Sequence, residues 1–88
     1  MQAIQTKYIG PSNVKGSRIK AKCAAGSLTM SWDDALNPRV NHQLAAEALA
    51  RKLGWSGMWC EGALIDGSSV FVCFDHDYTF TIKAAQAA

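Results

Sequence analysis

Apolar and polar residues alternate with a period of two in several short stretches of this chain, and in one stretch they recur at helical spacing. Between Arg18 and Cys23 the alternation is strict, with Arg18, Lys20 and Lys22 on one side and Ile19, Ala21 and Cys23 on the other. Successive side chains of extended backbone point to opposite faces, so this pattern predicts a half-buried strand. After an Ala25-Gly26 turn, Leu28, Met30 and Trp32 alternate with Ser27, Thr29 and Ser31 in the same way. Ala3 to Ile9 reads as a preceding strand, ended by the breaker-rich stretch GPSNVKG from Gly10 to Gly16. The three strands form a meander.

Asp33 to Arg39 is then a connection containing Asn37-Pro38, and Asn41 is the predicted N-cap of a helix that runs to about Leu53 and stops at Gly54. Leu44, Ala45, Ala48, Leu49 and Leu53 make its apolar stripe. Met58 to Ile65 and Val70 to Phe74 have strand composition and flank Asp66-Gly67-Ser68-Ser69, a hairpin signal. A two-residue loop would pair Ile65 with Ser68 and set Cys60 opposite Cys73, with Cα atoms about 4.5 Å apart. A four-residue loop would break that register. Past the turn Asp75-His76-Asp77, Tyr78, Phe80 and Ile82 alternate as a last strand, and residues 83–88 form a weakly constrained tail.

The order βββαβββ predicts a two-layer α+β fold, in which one helix covers one face of an antiparallel sheet. Cys60, Leu64 and Phe71 would then lie opposite Trp59, Ile65, Val70 and Val72, so the second sheet face is also partly apolar. Self-association or a curled sheet would cover it.

Length and composition narrow the class. Eighty-eight residues suit a single domain spanning 1–88. A chain 49% hydrophobic and 18% charged belongs with globular rather than disordered sequences. No apolar run approaches the roughly 20 residues of a membrane span, and Met1 to Ile9 lacks the pattern of a signal peptide. A cytoplasmic protein is expected. Cys23, Cys60 and Cys73 are odd in number and form no CxxC pair, which favours reduced thiols over a disulfide framework or a zinc ribbon.

Charge adds the most. Lys7, Lys15, Arg18, Lys20 and Lys22 give +5 up to Trp32 with no acid, and four basic against seven acidic residues give −3 from Asp33 onward. In GPSNVKGSRIKAK, Gly10 to Lys22, bends and cations concentrate, and alternate basic residues about 6.6 to 7 Å apart along a strand face suit a phosphate backbone. Tyr8 would supply stacking in that nucleic-acid reading. Exposed lysines also keep strands soluble and block edge pairing, and the same cations would meet an acidic protein. Trp55, between Gly54 and Ser56-Gly57, is either an interface anchor or a cap on the helix end.

Asp75-His76-Asp77 with Cys73 offers metal-ligand atom types, but adjacent residues in a tight turn point apart, so a polar turn is the default and no metal or cofactor is expected. Cysteine and histidine sets can be assembled on paper, yet no nucleophile elbow, phosphate loop or zinc-helix motif accompanies them. A non-catalytic binding protein is expected.

TKYIGPSNVKGSRIKAKCAAGSLTMSWDDALN followed by NHQLAAEALARKLGW resembles a group of small orphan proteins of bacterial phages, plasmids and other mobile elements, through a GP-[ST]-N, GSR and LGW pattern over roughly residues 1 to 55. The resemblance implies an anti-defence role, such as an anti-CRISPR inhibitor that binds a host nuclease complex, and it assigns no site residues. The leading expectation is therefore a protein-binding inhibitor using Lys15, Arg18, Lys20, Lys22 and Trp55. A nucleic-acid module using Tyr8, Lys15, Arg18, Lys20 and Lys22 is the alternative, and a homodimeric structural or assembly protein is the third reading.

Overall fold

Three alternating stretches pair as an antiparallel meander: β1 (Ile4–Ile9), β2 (Arg18–Cys23) and β3 (Gly26–Ser31). The computed structural model describes residues 2–74 and Thr81. Helix α1 (Pro38–Lys52) follows, then β4 (Trp59–Ala63) and β5 (Ser69–Cys73). β5 pairs with the other edge of β1, giving the order β3-β2-β1-β5-β4 with β1 at the centre. One antiparallel sheet with one helix is the α+β architecture expected. The predicted last strand, apart from Thr81, lies outside the described residues, as do the turn 75–77 and the tail 83–88.

The helix begins earlier than Asn41. Asn37 is the cap, its side chain accepting from the Arg39 backbone N–H at 2.8 Å, and Pro38 occupies the first turn. The Asn-Pro pair is thus a start signal: proline lacks a donor only where the helix has no use for one, and its φ is already helical. Asn41 is buried instead, accepting from the Asp33 N–H and donating to the Asp33 carbonyl, both at 2.9 Å. The C-terminus is as predicted. Gly54 adopts φ 76°, and the N–H groups of Gly54 and Trp55 return to the carbonyls of Arg51 and Ala50, a Schellman closure.

The buried stripe of α1 is Asn41, His42, Ala45, Ala46, Leu49 and Ala50. Leu44 is exposed, the helix turning Ala45, Ala46 and Ala50 toward the sheet instead. Against them pack Ile4, Ile19, Ala21 and Phe71, with Leu28, Met30, Trp55 and Trp59 around the margin. Ile4, Ile19 and Leu49 are at most 1% exposed, and full burial of each contributes about 1.5–3 kcal/mol. One polar pair lies within this layer. Thr6 Oγ1 and His42 Nδ1 share a 2.7 Å hydrogen bond, and Trp32 meets the imidazole edge-on at 6.0 Å. Burial holds the His42 pKa below its ordinary value, and the Glu61 carboxylate opposes that shift.

The β4–β5 hairpin corrects the two-residue loop. Ala63 pairs with Ser69, and the Leu64 N–H donates to the Ser68 carbonyl, leaving Ile65, Asp66 and Gly67 as the loop. Gly67 has φ 87°, the left-handed residue that a three-residue hairpin loop requires. The register moves by one. Cys73 now faces Trp59 and Cys60 faces Val72, so the two cysteines lie on opposite faces and all three thiols are free. Phe71 joins Trp59 on the helix side, whereas Cys60, Val70 and Val72 share the other.

Candidate functional site

Directly opposed strand residues share a face, so the pairing maps the side of the sheet away from α1. Gln5 pairs with Lys22, Lys7 with Lys20 and Ile9 with Arg18; on the far side of β2, Lys22 pairs with Ser27, Lys20 with Thr29 and Arg18 with Ser31. Three cross-strand rows result: Gln5–Lys22–Ser27, Lys7–Lys20–Thr29 and Ile9–Arg18–Ser31. β1 and β2 contribute the cations, and β3 contributes a line of exposed hydroxyls. Among the described residues no strand residue on this face is acidic.

Lys7 and Lys20 are both exposed and directly opposite one another, a like-charge pair that costs the fold stability. With Lys22 and Ile9 they line a shallow depression of about 90 Å³. Neither ion pair among the described residues, Arg39–Glu61 at 2.7 Å or Arg51–Glu47 at 2.6 Å, draws on these lysines. Exposed Asp66 senses the charge of Lys7 only weakly; its carboxyl is held below the usual range chiefly by hydrogen bonds from the Ser68 hydroxyl and N–H. Arg18 is half-buried, and its Nε is buried without a hydrogen-bond partner.

Toward β5 and β4 the same face becomes apolar. Val70 adjoins Gln5, Cys60 faces Val72, and the Phe74 N–H bonds to the Met58 carbonyl, extending the ladder so that alternation carries Met58 and Phe74 to this side. Val72 is 45% exposed and Met58 73%.

The remaining sequence candidates divide between places. Arg18, Lys20 and Lys22 stand together as β2 predicts. Lys15 is exposed in the loop between β1 and β2, which Ser12 closes by donating its N–H to the Lys15 carbonyl at 2.7 Å and accepting the Lys15 N–H on Oγ at 3.0 Å. Tyr8 lies on the helix side, edge-on to Trp32 at 4.8 Å with its hydroxyl 2.8 Å from Ser17 Oγ, so it does not stack with ligands of the basic face. Trp55 is also on the helix side, stacked on Trp59 at 6.0 Å, in the wall of a cleft of about 620 Å³ between α1 and β4 that Arg39 and Glu61 bridge.

Lys7 and the hydroxyl line Ser27, Thr29 and Ser31 are the site residues that reading β2 alone passes over. Their signal was the register: once Ile9 meets Arg18 across the loop, Lys7 must meet Lys20. Among the described residues no group of three or more His, Cys, Asp or Glu is placed to hold a metal, and Cys73 is the one described member of the 73–77 set. Among the described residues no helix is long and apolar enough to cross a membrane. No family model matches the chain, and no curated protein or solved structure matches it significantly.

Proposed function

We propose that the open sheet face grips the phosphate backbone of a nucleic acid, with Lys7, Lys20, Lys22 and Arg18 as the cations and Thr29 and Ser27 as hydrogen-bond donors beside them. The observation that carries this reading is the Lys7–Lys20 opposition on a face whose described strand residues include no acid. Opposed lysines repel in the unbound protein, and an anion seated between them converts that repulsion into attraction. A face needed only for solubility would be served equally well by mixed charges.

Fluorescence anisotropy with labelled DNA and RNA oligonucleotides across a salt series tests the proposal. Neutralising about three to four phosphates on a single strand gives a slope of roughly −2 to −3 in log affinity against log salt. The double variant Lys7→Glu/Lys20→Glu should lose about tenfold or more in affinity while keeping its circular dichroism spectrum. Absence of binding at low salt would sink the reading.

The Trp55–Trp59 wall of the α1–β4 cleft favours a second reading, a protein-binding inhibitor of a host defence complex. Its anchor is on the opposite side of the sheet from Lys20 and Lys22, so a partner using both would have to wrap the domain. Co-purification with such a complex that Trp55→Ala abolishes and Lys20→Glu leaves intact would put this reading first.

A further inference from the structure

Resting on the nucleic-acid reading, we infer that the ligand is single-stranded, its backbone running along β1 and β2 beside the β3 hydroxyls and its bases lying over the apolar half of the same face. Two observations carry this. The open face is zoned: hydroxyls on β3, cations on β2 and β1, then Val70 and Val72 on β5, with Cys60 on β4 and Met58 just before it. A single strand has the same division, with a charged backbone on one side and unpaired bases on the other, and apolar or aromatic surfaces accept those bases without regard to sequence. A duplex presents phosphates on its outside and keeps its bases paired, so the exposed Val72 and Met58 would have nothing to cover.

The second observation is the position of α1. The helix is packed on the back of β1, β2 and β3, so it cannot enter a major groove while the basic face is engaged. What remains in front is a platform of strands, suited to a strand laid across it rather than to a groove that must be penetrated. The Val70–Gln5 pairing makes the apolar and cationic zones contiguous, so one strand can use both at once.

Cys60 supplies the readout, because it is exposed in the apolar zone whereas Cys23 and Cys73 are half-buried on the helix side. Wild-type protein is to be treated with iodoacetamide in the presence of an oligothymidylate of about 12 nucleotides or of a hairpin duplex carrying the same number of phosphates. Affinities for both are to be measured by anisotropy. The expected result is about tenfold tighter binding of the single strand, protection of Cys60 but not Cys23 by it, and no protection by the duplex. The variant Val72→Ser should lose the single-strand preference while its duplex affinity stays unchanged. Equal affinities with Cys60 unprotected would overturn the inference and leave the phosphate grip standing. Binding to neither probe would remove both.

Discussion

The two faces of one sheet solve opposite problems with alternate residues of the same strands. In β1, Ile4 and Thr6 turn inward and are fully buried, while Gln5 and Lys7 turn outward; in β2, Ile19 and Ala21 lie under α1, while Lys20 and Lys22 look out. The covered face buries apolar side chains and hydrogen-bonds its polar pair, Thr6 and His42. The open face instead sets Lys7 against Lys20. A cost retained on one face of strands so consistent on the other marks where the molecule answers to something besides folding.

Substitutions can break this contrast or sharpen it. The largest effect belongs to the covered face: Leu49→Ala should lower unfolding free energy by about 2–5 kcal/mol in urea titrations, through lost burial and the cavity left against the sheet. Thr6→Val should cost about 1–3 kcal/mol, because it strips His42 Nδ1 of its partner inside the core. The same pair sets a pH dependence. His42 ordinarily titrates near 6.5 and is held lower by burial in the folded protein, so the unfolded chain takes up the proton more readily. Stability should be constant in this term above about 6.5 and fall as the pH drops below it. Replacement by His42→Gln should flatten that decline in thermal melts between pH 7 and 5.

Smaller effects lie at the surface. Asn37→Ala should cost about 1 kcal/mol by removing the helix cap. Lys20→Gln should do the reverse, adding about 0.2–1 kcal/mol at low ionic strength as the opposition with Lys7 disappears, a gain that salt should erase. The same variant should bind nucleic acid more weakly. Stability and affinity moving in opposite directions on one substitution would separate a functional cation from a merely solvating one.

What could be read from the chain followed how local its cause was. The span of β2, the Gly54 stop and the single helix rest on alternation or on one residue's conformation, and the structure keeps them. Asn37-Pro38 was legible but ambiguous, since proline both breaks helices and begins them. The one-residue shift at Gly67 turned on loop length, which composition leaves open, and it decided which side Cys60 and Phe71 would face. The docking of β5 on β1 rests on contacts between residues more than sixty positions apart. No local pattern announces it, and with it came the apolar border of the basic face.

The attachment of the β4–β5 hairpin has a consequence in time. Five residue pairs join β1 to β2 and six join β2 to β3, but three join β5 to β1, at Ile4–Phe71, Gln5–Val70 and Thr6–Ser69. α1 packs chiefly over the meander. The described residues therefore divide into a well-tied half and a lightly tied one, and opening is expected first at the β1–β5 seam. Amide hydrogens that bond across the β1–β5 seam should exchange with solvent through that opening well before those that join β1 to β2, which await global unfolding. A ligand laid across the seam would hold it closed, and the slowing of exchange at Ser69 and Phe71, which pair with Thr6 and Ile4, would record its residence.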